Sequence, residues 1–273
     1  MGQGLAIALG RAGAGVTLLA RTPRPVAEPL VLFQGDWAEA TLVSDLVVVA
    51  TPDDAIAEAA GALARQKAIT PSQVVLHLSG LLDRRVLGAL APTGAGLGSF
   101  HPLQTIADPI TAPARLLGAY AGVEGDPRAE AEGERLALML GMHPIRLTAA
   151  AKPAYHAGAV FAANFLVALA GVAERLARGA GIPDVDAGRV YLPLLKGAAS
   201  NLDAGVAAAL TGPIVRGDVE TIRAHLGALG AEDRELYRRL GLATLPLARQ
   251  AGLASEAAAR VTEVLGGSRS DAH

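Results

Sequence analysis

Two short stretches of this chain carry residue types able to move a proton beside a small carbonyl or imine group. The first is Lys152-Pro153-Ala154-Tyr155-His156, followed by Asn164. An imidazole titrates near neutral pH and can give up a proton as a hydride reaches the neighbouring carbon. His156 and Asn164 are eight residues apart, so a helix keeps both near one face. His156 is therefore a candidate proton donor, and Asn164 a group that could orient a substrate carbonyl or a carboxamide. Lys152 lies one turn earlier, ahead of a proline, and is a candidate substrate contact. The second stretch, Ser99 to Thr105, offers a hydroxyl, the His101 imidazole, an amide and another hydroxyl within one turn. It makes His101 a candidate catalytic group, with Ser99 and Gln104 as candidate substrate contacts. Each stretch also has a plainer reading, as buried polar groups satisfying a helix or a turn stiffened by Pro102.

A third stretch, Leu210 to Asp218, has two glycines and a proline in a tight interhelical turn. Arg216 in it could hold a substrate carboxylate or phosphate; equally, Arg216 and Asp218 could cap neighbouring helices. Lys196, Asn201 and His225 stand alone, and structural roles suit them better.

The elements that must position these groups follow from the apolar pattern. Gly2 and Gly4 open a helix that ends at Gly13-Ala14-Gly15, and Val16 to Ala20 reads as a strand. In a nucleotide-binding βαβ unit the tip of that strand faces the adenosine ribose. Arg21, Thr22 and Arg24 stand there, and guanidinium forks suit a 2′-phosphate, which points to NADP(H) with Gly2 beside the pyrophosphate. Asp45 to Ala50, Val74 to Leu78 and Gly96 to Phe100 read as further strands, with Ala119 to Val123 and His143 to Leu147 flanking a helix over 127–140. Ligands of parallel sheets bind beyond the carboxyl ends of strands, so Thr51, Pro52 and Ser79 are expected to line the cofactor. Asp53 or Asp54 can cap the helix after the first of these strands. The opening strand and first glycines of a complete unit do not precede Met1, and the first strand is expected to be missing.

After Thr148 the strand signal stops. Helices are expected from Pro153 to about Arg178, from Val185 to Leu210 with a kink at Pro193, from Val219 to Leu229 under an Asp218 cap, and from Asp233 onward. The expected plan is an α/β Rossmann-like domain over 1–148, an all-helical substrate and dimerisation domain over 149–266, and a frayed tail. The uncharged stretch Ala157 to Ala173 is short for a membrane span and reads as a buried helix. A net charge of −2 gives no electrostatic case for nucleic acid or an anionic membrane, and the absence of cysteine excludes disulfides and thiolate chemistry. With no signal segment at the start, a cytoplasmic location is the simplest expectation.

Taken in order, Thr51-Pro52-Asp53-Asp54, Leu78-Ser79-Gly80, Phe100 to Thr105, Tyr155-His156-Ala157 with Ala163-Asn164-Phe165-Leu166, and Leu210 to Asp218 resemble one bacterial family. That family joins a Rossmann-like NADP-binding domain to a helical domain of unknown function similar to the C-terminal domain of 6-phosphogluconate dehydrogenase. The resemblance spans nearly the whole chain. It implies a reductase similar to deazaflavin-dependent NADP oxidoreductases and related to ketopantoate reductases. If the register of the ketopantoate reductase helix holds, His156 stands where that family has a catalytic lysine and Val160 replaces an asparagine. The His101-Pro102-Leu103 turn is similar to one beside nicotinamide in prephenate dehydrogenases. The resemblance also implies a homodimer through the helical domain. The expected function is NADP(H)-dependent reduction of a small keto or imino acid, with no metal. The alternative is a nucleotide-binding or assembly protein that keeps the fold without turnover.

Overall fold

The computed structural model describes residues 1–20, 25–33 and 37–266. Arg21, Thr22 and Arg24, the expected 2′-phosphate contacts, lie outside the described residues. The chain forms two compact units, Met1–Phe165 and from Leu166 onward.

The first unit is built on a five-stranded sheet in the order β1-β2-β3-β4-β5. Its strands are β1 (Leu46–Val49), β2 (Val74–His77), β3 (Gly96–Pro102), β4 (Tyr120–Gly125) and β5 (His143–Arg146). β1, β2 and β3 run parallel, β4 runs antiparallel to β3, and β5 is parallel to β4. The carboxyl ends of the three parallel strands therefore share one edge, from which Thr51, Ser79 and His101 follow. The helices are α1 (Gly2–Arg11), α2 (Trp37–Leu42), α3 (Asp53–Arg65), α4 (Ala112–Leu116), α5 (Pro127–Met139) and α6 (Lys152–Ala159). A 3-10 helix, Arg84–Thr93, joins β2 to β3.

Alternation along the strands divides the core into two layers. Phe100, Ala121 and Val123 pack with Leu136, Ala137 and Met142 on the α5 side. Val75 and Leu97 pack with Ile56, Ala60, Leu87 and Leu90 on the other. Farther along that second face the side chains turn polar: His77 and Ser99 are opposed in β2 and β3, and Ser99 is opposed by Glu124 in β4. Buried loops are held by side chains. Gln73 donates to the carbonyls of Thr41 and Ser44 and accepts from the Thr70 amide. Arg128 on α5 donates to the carbonyls of Pro71, Ser72 and Gly94.

The structure differs from the sequence reading at several places. Val16 to Ala20 makes only one parallel bridge, Leu18 with Leu32, because the ladder finds no further partner among the described residues. Asp53 does not cap α3; the N-cap is Pro52, and the Asp53 carboxylate accepts from Ser79 instead. α6 belongs with the sheet because Lys152 is buried there, so the first compact unit runs past 148. Pro193 sits in the first turn of its helix, where its missing N–H costs nothing, and does not kink it.

The second unit is helical: α7 (Phe165–Gly179), whose first residue still belongs to the first unit, then α8 (Asp184–Ala187), α9 (Leu192–Asn201), α10 (Pro213–Arg216), α11 (Val219–Ala228), α12 (Ala231–Gln250) and α13 (Ser255–Gly266). Its core is Ile222, Leu226, Leu245, Ala258, Val261 and Leu265. Asp218 caps α11 through the Thr221 amide, as expected. The expected last helix is two, parted at Gly252, whose φ of 103° suits glycine. The helical run Ala149–Gly179 spans 31 residues and is long and apolar enough to cross a membrane by length and composition. It is not the buried helix expected: Phe161 and Val167 are 70% and 72% exposed.

β3 and β4 approach closely because Gly98 has no side chain. A Cβ there would lie 2.5 Å from the Glu124 carbonyl oxygen and 2.8 Å from the Ala129 methyl. Gly98→Ala is expected to cost about 1–3 kcal/mol of stability by overpacking, read as a lowered urea midpoint. An unchanged midpoint would contradict this packing.

Candidate functional site

The polar groups of the first unit gather where β2 and β3 end and α6 crosses. Lys152, Tyr155 and His156 occupy i, i+3 and i+4 of α6 and so form one stripe facing the sheet. Opposite them are the Ser79-Gly80 turn and His101. The turn is built by Ser79, whose Oγ accepts from the amides of Leu81 and Leu82 and donates to Asp53 Oδ2 at 2.7 Å. His77 holds it from beneath: Nδ1 accepts from the Ser79 amide, and Nε2 donates to the Asp83 carbonyl at 3.3 Å. Burial and the nearby Lys152 charge push His77 down to about 4, so it is neutral at pH 7.

His101 shares a 3.1 Å hydrogen bond through Nδ1 with the Tyr155 hydroxyl. Burial keeps that phenol protonated. With the phenol donating to Nδ1, the His101 proton sits on Nε2. Burial, with the charges of His156 and Lys152, lowers His101 to about 4, so it stays neutral. His101 and His156 meet edge to face, with ring centroids 5.8 Å apart. A Cβ on Gly80 would lie 2.6 Å from His156 Nδ1 and 2.8 Å from His101 Nε2. Both rings thus pack edge-on against Gly80, with His101 Cε1 as near as Nε2, and any side chain at residue 80 would collide with them. The His156 nitrogen is buried and has no protein partner, the condition of a group awaiting a ligand or water.

Asn164 ends a π-helical turn, Val160–Asn164, inserted between α6 and α7. Two α-turns span about 7.2 residues, and one inserted residue makes about 8.2. The eight-residue spacing therefore aligns Asn164 with His156 more closely than an unbroken helix would. Asn164 itself is exposed.

The other expected site residues are distributed unevenly. Ser99 and Lys152 are fully buried and bond each other, with Nζ to Oγ at 2.7 Å, so neither presents its polar atom at the surface. Gln104 is engaged within its loop, donating to the Arg115 carbonyl and accepting from the Thr105 amide. Thr51 and Pro52 are exposed at the end of β1. Arg216 lies in the second unit, on the last turn of α10. The sequence does not single out Glu124, and Tyr155, Gly80 and Asp53 read there as parts of candidate stretches without a role of their own in the site. Glu124 had a signal, a lone carboxylate in an otherwise uncharged strand, whereas the role of Gly80 depends on two imidazoles distant in sequence.

The first turn of α1 suits a dinucleotide pyrophosphate. Its N-cap makes no side-chain bond, leaving first-turn amides free, and a Cβ on Gly2 would sit 2.6 Å from the Ala50 methyl at the end of β1. That close approach of helix terminus and strand end is the geometry in which backbone amides reach phosphate oxygens. Gly2, Thr51 and Pro52 are the described residues able to hold such a group. No cluster able to hold a metal ion occurs among the described residues.

A Rossmann-like unit followed by a helical one defines a fold shared with NADP-dependent reductases. Residues 119–244 match the model of a family described as a domain of unknown function, DUF2520. A solved protein of Thermotoga maritima is similar at 25% identity, with a TM-score of 0.64 over 76% of this chain and 79% of that one. A Bacteroides fragilis protein provisionally designated an NADP oxidoreductase is 23% identical, with a TM-score of 0.66 over 91% and 93%. Pyrroline carboxylate reductase of Plasmodium falciparum, solved with NADP bound, is 10% identical, with a TM-score of 0.58 over 98% and 96%. No curated protein matches the sequence. Family match and fold together group the chain with proteins that join a Rossmann-like unit to a helical one.

The two depressed histidines give the first unit an acid sensitivity of definite sign. Between about pH 6.5 and about pH 4 the unfolded chain binds protons at His77 and His101 that the folded chain refuses. Their contribution is whole above about 6.5, is lost as pH falls, and levels off near 4. His77 alone, fully buried, accounts for on the order of 3 kcal/mol across that window. Urea unfolding at a series of pH values should show His77→Gln losing part of the acid dependence of the parent protein. Equal slopes in the two proteins would refute the assignment.

Proposed function

We propose that the protein is an NADP(H)-dependent oxidoreductase that reduces a small keto or imino acid. The observation that carries this reading is the convergence of His156 Nδ1 and His101 Nε2 over Gly80 at the carboxyl edge of the parallel strands. A polar atom of a substrate that reaches the edge shared by these two imidazoles, beside Gly80, would meet a hydrogen-bond donor from neutral His101 and a proton donor in His156. NADPH would supply the hydride, held by the first turn of α1, Gly2, Thr51 and Pro52, with Arg21, Thr22 and Arg24 for the 2′-phosphate. Tyr155 fixes the orientation and tautomer of His101, so that its donor is set before substrate arrives. Asn164, brought into register with His156 by the π turn, orients the carbonyl or the carboxamide. Arg216, in the second unit, is the candidate there for holding a carboxylate or phosphate. This division of work needs no metal.

A two-part chain, with the helical part that is compact from Leu166 onward carrying the subunit interface, goes with this reading, as does a cytoplasmic location. The exposed apolar side chains of the run Ala149–Gly179, among them Phe161, Phe165 and Val167, support a homodimer through the helical region. Apolar patches of this kind in a protein outside the membrane usually mark a contact surface.

Cofactor choice is tested by nicotinamide fluorescence. NADPH is expected to bind more tightly than NADH by about tenfold or more, since each lost charge-assisted phosphate contact costs on the order of 1.5–3 kcal/mol. Negligible binding of both would overturn the cofactor assignment. With a panel of 2-keto acids and cyclic imines, His156→Ala should lower kcat about 10²–10⁴-fold while leaving NADPH affinity unchanged. Full turnover in that variant would remove His156 as the acid.

The interface is tested by light scattering. The purified protein should have the mass of two chains, and Val167→Glu should shift it toward one. A monomer in the unmodified protein would count against the dimer.

A further inference from the structure

Behind the imidazole pair lies a second set of polar groups, enclosed and bonded in series. Lys152 and Ser99 are 0% exposed and Glu124 is 5% exposed. Lys152 Nζ donates to the Ser79 carbonyl at 3.1 Å and to Ser99 Oγ at 2.7 Å. The Ser99 hydroxyl points on to Glu124 Oε2 at 3.4 Å, which also accepts the Arg84 amide at 2.9 Å. Glu124 in turn lines a surface depression of about 580 Å³, walled by Asp83, Arg84, Arg85, Ala149, Ala150 and Pro153. His101, His156 and Gly80 are not part of that wall. A path of hydrogen-bonding groups therefore leads from solvent, away from the imidazole pair, to an ammonium one helical turn below His156.

The order of the groups matters. A lysine that merely pinned α6 would need acceptors alone. Here a hydroxyl, able to accept one proton while giving another, stands between the ammonium and the carboxylate. Burial disfavours charge at both ends, bringing Lys152 down to about 8 and raising Glu124, while their attraction for each other opposes this. Asp53 and Asp83 also favour the charged lysine, His77 and His101 face it from β2 and β3, and Arg84 favours the charged carboxylate. The charged pair and the neutral pair differ by one concerted shift through Ser99.

We propose that Glu124, Ser99 and Lys152 form a proton relay that refills His156 from the depression beside Arg84 and Pro153; this rests on the reductase reading above. Delivery of a proton from His156 to the reduced oxygen or nitrogen leaves its imidazole neutral. Lys152 is the group that returns a proton to it: its ammonium sits on the Ser79 carbonyl, and His156 Nδ1 lies beside the next residue, Gly80. The lysine amine takes the Ser99 hydroxyl proton as Ser99 takes that of the Glu124 carboxylic acid. The Glu124 carboxylate regains a proton from solvent. One proton enters for each hydride accepted. Ser99 and Glu124 thus act through Lys152 and touch no substrate.

The relay can be read in the resting protein, without nucleotide or substrate, so its failure is separate from any failure of the reductase assignment. The chain has three lysines, Lys67, Lys152 and Lys196, and lysine labelled at the ε-carbon and ζ-nitrogen resolves them by NMR. Loss of one signal in Lys152→Met assigns it. Hydrogen exchange of the Lys152 ammonium with solvent should slow about 10²-fold in Ser99→Ala and in Glu124→Gln, the lower range of a positioned proton-transfer group. Its titration midpoint near 8 should fall in Glu124→Gln, which loses an attracting charge. Exchange as fast as in the parent protein in both variants would overturn the relay. If one variant does not fold, the other decides alone.

Discussion

The buried ammonium of Lys152 is the constraint on which the site depends. Enclosing a charged lysine costs several kcal/mol, and only well-placed acceptors offset it. The Ser79 carbonyl and Ser99 hydroxyl supply two, and Glu124 supplies opposite charge nearby. These partners come from the end of β2, the middle of β3 and the carboxyl end of β4, so satisfying one side chain fixes the start of α6 against three strands. Tyr155 and His156 then fall into place by helical spacing alone. Breaking such an arrangement from one side typically costs about 3–5 kcal/mol, because the remaining charge is stranded.

Around that anchor the sheet face changes character. Toward the amino ends of β2 and β3 it is apolar, with Val75 and Leu97 in a core of leucine and alanine. Two residues further along each strand it carries His77 and Ser99, met by Glu124 from the antiparallel β4. The same alternation thus makes both the core and the floor of the site. Glycine sets the remaining distances: Gly98 and Gly125 let β3 and β4 close up beneath α5, and Gly80 leaves room for two imidazoles to pack against it.

Much of this was legible in the chain itself. The three parallel strands announced themselves as short apolar runs followed by polar turns, and their bounds fall within two residues of the expected ones. The polar turns after β2 and within β3 and the start of the Lys152-to-Asn164 stretch were legible as polar groups. The fold brings Ser79, His101, Lys152 and His156 together because strand ends of such sheets share one edge. Less was legible where the outcome depends on partners distant in sequence. Ser99 and Lys152 read as free polar groups, yet they satisfy each other. Asp53 read as a helix cap, but Ser79 competes for its carboxylate and wins. Val16 to Ala20 has strand composition without a ladder to join. The run from Ala157 to Ala173 looked like a buried helix because apolar composition reports that a face is to be covered, not by what.

Sequence by itself determined the order of elements, the two-part plan and the residue types available for proton transfer, since these rest on local periodicity and turn chemistry. It also fixed the stripe of Lys152, Tyr155 and His156, which needs only a helix. Tertiary structure decided which polar groups face each other: that His101 has its tautomer set by Tyr155, that Lys152 turns inward, and that a π turn brings Asn164 into line. The reason is physical. Burial and hydrogen-bond satisfaction are settled between residues far apart along the chain, and they decide whether a polar side chain meets a ligand or another part of the protein.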